Sequence, residues 1–242
     1  MLANAFCLEV YMEKIKRVFS YFSRTEWLLW SVSVLLILLS FLLFDRGSYL
    51  TLSASLIGVT SLIFCAKGNP FGQLLMIVFG ILYGIISFEM AYYGEMLTYL
   101  GMTVPMAVFA LASWLRNPYE KGRAEVRINR LRGREYIFMS ILTLLVTVIF
   151  YFVLKSLGTA NLIPSTVSVA TSFAAVYLTF RRCELFTLLY AANDIVLLVL
   201  WVMASFTDKS YISVVTCFLV FLVNDLYGYI SWSRMKKRQS GK

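Results

Sequence analysis

Eight apolar runs, each long enough to cross a bilayer, constrain this chain more than any other feature. They fall at about 25–44, 49–66, 70–90, 96–115, 136–155, 162–180, 184–204 and 210–232. A crossing needs about 20 apolar residues in helical form, and a segment in lipid must satisfy its backbone groups internally. The expected fold is therefore all-α and integral to the membrane, with eight transmembrane helices. Composition agrees: 60% of the residues are hydrophobic and 14% charged, with a mean hydropathy of +0.77, whereas soluble chains are about a quarter charged. Turns as short as Lys67-Gly68-Asn69-Pro70 and Arg181-Arg182 make their flanking helices antiparallel hairpins. Pro105 predicts a kink in the fourth helix and Pro164 marks the start of the sixth. Ahead of the first helix, residues 1–24 mix Glu9, Glu13, Lys14, Lys16, Arg17 and Arg24. Acids there, and no small-residue cleavage site, argue against a cleaved signal peptide and for a short amphipathic helix on the membrane surface.

The formal net charge of +9 raises the question of nucleic acid, but the basic residues sort by loop and not onto one folded face. Nineteen lie on the side shared by both termini, including seven from Arg116 to Arg134, and three (Arg46, Lys155, Lys209) lie on the other. By the positive-inside rule both termini and the 116–135 loop are cytoplasmic, in a plasma-membrane protein. The charge is thus topology and contact with anionic lipid, with no nucleic-acid partner.

The chain has no His, which excludes histidine metal sites and histidine acid–base chemistry. Cys7, Cys65, Cys183 and Cys217 have no ligand spacing and read as ordinary apolar residues. With no nucleophile–base pair and no phosphate-cradling motif, the expectation is neither an enzyme nor a cofactor-binding protein.

A repeat divides the chain. Phe64-Cys65-Ala66-Lys67 aligns with Leu178-Thr179-Phe180-Arg181, and Phe109-Ala110-Leu111-Ala112-Ser113-Trp114 with Tyr227-Gly228-Tyr229-Ile230-Ser231-Trp232. Four helices separate the copies, so they share one orientation and are parallel repeats. The division is an interfacial segment (1–24), an extra helix (25–44), the first three-helix repeat (49–115), a basic loop (116–135), a connecting helix (136–155), the second repeat (162–232) and a basic tail (233–242).

Polar residues inside apolar helices cost a few kcal/mol for an Asp and face the bundle interior. Two such clusters stand out: Asn193-Asp194, followed by Trp201, and Asn224-Asp225 with Tyr227. They project to where repeat-built transporters bind solute, near the midplane. Gln73 and Glu89 are the first repeat's candidates. Each also has a structural reading. Asn and Asp serve as interhelical hydrogen-bond donors and acceptors, and Trp114, Trp201 and Trp232 fit interfacial belts. Gly80 and Gly84 fit close helix packing, while Glu89 and Glu95 are expected in solvent beside a short loop.

Asn69-Pro70-Phe71-Gly72 opening a helix, Tyr93-Gly94-Glu95-Met96 between the third and fourth helices, and Asn224-Asp225-Leu226-Tyr227-Gly228 with Trp232 together resemble the PnuC-type vitamin transporter family over about residues 50–235. The resemblance implies a SWEET-like arrangement of two three-helix bundles and a connecting helix. It also implies facilitated diffusion of nicotinamide riboside, a homotrimer, and a cytoplasmic kinase that traps the substrate as its phosphate. Thiamine, riboflavin and deoxynucleosides are the substrates of related subfamilies. The family's Trp-x-x-Trp-x-x-x-Asn pattern reads Phe186, Leu189 and Asn193 here, so Phe186 stays a substrate-binding candidate while the stacking faces fall to Tyr190, Trp201, Tyr83 or Tyr227. A nucleoside-like solute needs such faces beside amide and carboxylate groups. The alternative of another class is the substrate-binding subunit of an ATP-driven vitamin importer, which would copurify with an ATPase.

Overall fold

The computed structural model describes residues 21–89, 92–122, 124–159 and 161–241. Eight helices carry the fold: α1 (Arg24–Phe44), α2 (Tyr49–Ala66), α3 (Pro70–Glu89), α4 (Tyr93–Arg116), α5 (Gly133–Ser156), α6 (Leu162–Phe180), α7 (Phe186–Ser205) and α8 (Ile212–Ser240). Each is long and apolar enough to cross a membrane. Among the described residues the β structure is one antiparallel bridge, Pro118 to Val126. The surface helix expected over residues 1–24 lies largely outside the described residues.

Local chemistry sets the helix ends. Ser23 and Glu26 form a reciprocal capping box that starts α1 (2.7 and 3.2 Å). Asn69 Oδ1 accepts from the Phe71 amide (2.9 Å) and Pro70 opens α3, where its missing N–H costs nothing. The kink expected at Pro105 takes the form of a π-helical turn over Thr98–Thr103 inside α4. Proline cannot donate to the carbonyl four residues earlier, and the turn ahead of it widens so that the Val104 amide reaches Tyr99 O.

Most of the basic segment after Trp232 continues α8, which runs to Ser240. Lys236 pairs with Glu184 and Arg238 with Glu125, while Gln239 Nε2 donates to Glu125 Oε1 (2.9 Å) and Val126 O (3.1 Å). Fixed partners explain why helix persists beyond the apolar run. The same contacts turn the 116–135 loop into a strap: the Val126 amide reaches Gly68 O (2.9 Å) and the Asn129 amide reaches Arg182 O (3.0 Å).

Inside the bundle, α2, α3 and α4 pack in sequence, as do α6, α7 and α8, and the two sets meet where α4 lies on α6 and α8 on α2. A Cβ on Gly84 would sit 2.5 Å from Leu100 Cγ, and one on Gly80 2.7 Å from Val104 Cγ2. The Gly80–Gly84 pair thus lets α3 and α4 approach. Two indoles tie the sets together: Trp114 Nε1 donates to Thr179 O (2.9 Å) and Trp232 Nε1 to Cys65 O (2.8 Å), with the rings 5.3 Å apart. Both indoles are buried, at 1% and 0% exposure, so they are core residues and not the interfacial belt expected of them.

Helices α1 and α5 stand outside. The only buried residue of α5 is Leu154. By contrast α1 docks through a polar stripe at helical spacing: Glu26 on Lys67 (3.1 Å), Trp30 on Thr60 (3.2 Å), Ser33 on Asn224 (3.0 Å) and Ser40 on Thr216 (3.0 Å).

Candidate functional site

Each inner helix sends one stripe of side chains to a common point. Tyr190, Asn193 and Asp194 of α7 face Phe221 and Asp225 of α8, and Ser172 of α6 completes one side. Met76 and Phe79 of α3, Tyr99 and Thr103 of the π-helical part of α4, and Leu62 of α2 complete the other. Spacings of three or four residues put each set on one face of its helix. The enclosed cavity is about 20 Å³, enough for about one water, so admitting a larger solute requires the helices to part. A hollow of about 440 Å³ lies between α3 and α4 near Asn69 and Trp114, with no carboxyl group among its described lining residues.

The chemistry of the cavity is one-sided. Asn193 Oδ1 accepts from Ser168 (3.2 Å), Thr171 (2.9 Å) and Ser172 (3.0 Å) of α6. Its carbonyl is thereby held against α6, leaving the amide NH₂ as the group for a solute. Asp194 and Asp225 both line the cavity, and Asp194 Oδ2 has no hydrogen-bond partner among the described residues. Among the described residues no Lys or Arg lines the cavity. The ion pairs among the described residues, Lys67–Glu26, Arg181–Glu135, Lys236–Glu184 and Arg238–Glu125, all lie at the end carrying the basic loops.

Of the residues singled out from sequence, Asn193, Asp194, Asp225 and Tyr190 converge here. Asn224 does not. Adjacent helical positions point about 100° apart, so with Asp225 on the cavity, Asn224 faces α1, donating to Ser33 Oγ (3.0 Å) and Val220 O (2.8 Å). Tyr227 follows it to that side and donates to Glu26 Oε1 (3.2 Å). Phe186 is buried toward the basic end against Trp232 (ring centroids 4.9 Å apart). Gln73 donates to Cys65 Sγ (3.3 Å), Trp201 is buried and donates to Tyr83 Oη (2.7 Å), and Glu89 is exposed at the end of α3. Glu95 departs most from expectation: it is 1% exposed, with neither carboxyl oxygen hydrogen-bonded.

Sequence reading passed over Phe79, Tyr99, Thr103 and Ser172. The stripe Ser165, Ser168, Ser172 and Thr179, all buried on α6, carried a usable signal, since hydroxyls recurring at three and four residues in an apolar helix mark its polar-facing side. Phe79 and Phe221 approach the cavity over Gly58, where a Cβ would stand 2.3 Å from Phe221 Cζ and 2.9 Å from Phe79 Cδ2.

Eight helices able to cross a membrane, six of them closed around an amide, two carboxyls and aromatic walls, define a multi-pass membrane protein with a buried polar cavity. Comparison with known proteins narrows the class: the family model described as nicotinamide mononucleotide transporter matches residues 48–234, and the chain belongs to this transporter family. The nicotinamide riboside transporter PnuC of Neisseria mucosa is 27% identical over 203 residues, spanning 82% of this chain and 77% of that protein. Its counterpart from Haemophilus influenzae is 22% identical over 192 residues, spanning 79% of this chain and 82% of that protein. The crystal structure of the vitamin B3 transporter PnuC superposes with a TM-score of 0.80 at 23% identity, covering 90% of this chain and 94% of the other.

Proposed function

We propose that this protein carries nicotinamide riboside across the plasma membrane by facilitated diffusion. The observation that carries the reading is the cavity's composition: among the described residues, two carboxyls and an amide, no basic residue, and walls of Phe79, Tyr99, Tyr190 and Phe221. Carboxylates accept sugar hydroxyls, the Asn193 amide donates to one, and an acidic site without internal counter-ions favours a solute bringing positive charge. Nicotinamide riboside has a cationic pyridinium ring and a ribose. Deoxynucleosides are neutral and leave the acidity uncompensated. The printed names of the two relatives support the same substrate.

The bias of nineteen basic residues to one face supports a cytoplasmic location for both termini. Release on that side would deliver the riboside to a trapping kinase. Two parallel repeats account for the reciprocal indole bonds, because Trp114 and Trp232 are equivalent in the sequence alignment, as are their acceptors Thr179 and Cys65. Rocking of one three-helix set against the other would open the cavity alternately to each face. The lipid-facing surfaces of α1 and α5 leave room for a homotrimer.

Equilibrium titration of the purified full-length protein in detergent tests the reading, using nicotinamide riboside, thymidine, thiamine and riboflavin as ligands. The expected result is heat of binding with nicotinamide riboside and none with thymidine, with the heat lost in Asn193→Ala. Binding of thymidine without nicotinamide riboside would overturn the substrate.

A further inference from the structure

Three hydroxyls of one helix converge on a single amide oxygen. Ser168 Oγ (3.2 Å), Thr171 Oγ1 (2.9 Å) and Ser172 Oγ (3.0 Å) of α6 all reach Asn193 Oδ1 of α7. Positions three and four residues apart share one face of a helix, so α6 presents them together where it packs on α7. An amide oxygen has two lone pairs and here meets three donors. It stays occupied even when the Thr171 proton turns to Val167 O (3.0 Å) or Ser168 O (3.1 Å) in its own helix. Turning the amide end for end would break all three bonds, so the NH₂ is the end that Asn193 presents to the cavity it lines.

Two further facts give this clamp a use. Among the described lining residues Asn193 is the one nitrogen-bearing side chain, so its NH₂ is the one group there that donates and never accepts. The described lining includes Ser172 but neither Ser168 nor Thr171; an effect of these two on a bound solute passes through Asn193. In addition, α6 and α7 belong to the same three-helix set. The clamp therefore lies within one body and is kept when the two sets part, unlike the bonds of Trp114 and Trp232, which cross between the sets.

We propose that Ser168 and Thr171 are positioning residues for solute binding: with Ser172 they hold the Asn193 oxygen away from the cavity and make the amide a fixed donor to a sugar hydroxyl, in the closed cavity and in the opened one. That hydroxyl passes its own proton toward the carboxyl of Asp194 or Asp225, so it is read as acceptor and donor at once. The assignment rests on the sugar-bearing substrate of the proposed function.

Calorimetry of nicotinamide riboside binding to the purified full-length protein tests it, with ligand concentrations raised for the weakened variants. Ser168→Ala/Thr171→Val is expected to weaken binding about threefold or more, but less than about twofold further in the Asn193→Ala background. Ser168→Ala/Thr171→Ser keeps a second hydroxyl beside Ser172 and should stay within about twofold of wild type. A residue that served only packing would weaken both backgrounds alike. Equal loss in the two backgrounds, or loss in neither, overturns the positioning role. Should the Ala/Val pair fail to give monodisperse protein, Ser168→Cys/Thr171→Val, closer in shape and with only a weak thiol donor, is judged by the same criteria. Full affinity in Asn193→Ala would defeat the binding site itself along with its clamp. Failure of the wild type to bind nicotinamide riboside would defeat the substrate instead, and the same cycle is then read on thymidine, whose sugar also carries hydroxyls.

Discussion

Asn224 offers the sharpest separation of a structural polar group from a functional one. Its Nδ2 donates to Ser33 Oγ of α1 (3.0 Å) and to Val220 O in its own helix (2.8 Å), while its Oδ1 has no partner. An interhelical hydrogen bond within a membrane contributes about 0.6 kcal/mol on average, so Ser33→Ala should cost about that much. Asn224→Ala removes this bond and the local one, but it also removes an acceptor that is already unsatisfied, which trims the loss to about 1 kcal/mol. The double variant should cost little more than Asn224→Ala, because both single changes delete one shared contact. Nicotinamide riboside affinity should stay within about twofold in all three, since Asn224 points away from the cavity. Asn193→Ala deletes a cavity-facing amide and should weaken binding about tenfold or more, equivalent to about 1.4 kcal/mol. Unfolding by sodium dodecyl sulfate in mixed micelles, followed by circular dichroism, reads the stabilities, and calorimetry reads the affinities. Loss of binding in a folded Asn224→Ala protein would refute the division of roles between the two asparagines.

Two further outcomes follow from the packing. Gly84→Ala places a methyl 2.5 Å from Leu100 Cγ, and forcing α3 from α4 should cost about 1–3 kcal/mol, seen as a lower thermal midpoint; an unchanged midpoint would deny the close approach. Trp232→Phe strips the indole donor from Cys65 O, which keeps the Gly68 amide as a donor (2.9 Å). It should cost about 0.5–1.5 kcal/mol, and Trp114→Phe, acting on Thr179 O, which keeps the Arg182 amide (3.0 Å), should cost a similar amount. A large difference between them would count against the equivalence of the two three-helix sets.

The sequence by itself determined the class and most of the element plan. Eight runs of bilayer length leave only helices as a solution, because lipid offers backbone groups no alternative partner. Their limits matched the helices to within a few residues except at α8. There the apolar run ends near Trp232, but Lys236, Arg238 and Gln239 find partners on Glu184 and Glu125 and carry the helix on to Ser240. Such partners come from distant parts of the chain and leave no periodic trace.

For the site, the sequence yielded the residues that are polar in apolar helices but not the directions in which they point. Asn224 and Asp225 look alike as a pair, yet one faces α1 and the other the cavity. Which of two neighbours turns inward depends on the rotation of α8 about its axis, set by its packing on α1, α2 and α7. Glu95 shows the same limit in reverse. Its place beside a short loop predicted solvent, and only the closing of α4 against α6 buries it. Hydropathy along a chain reports how deep a segment lies, whereas the face a side chain takes is decided by the helices that surround it.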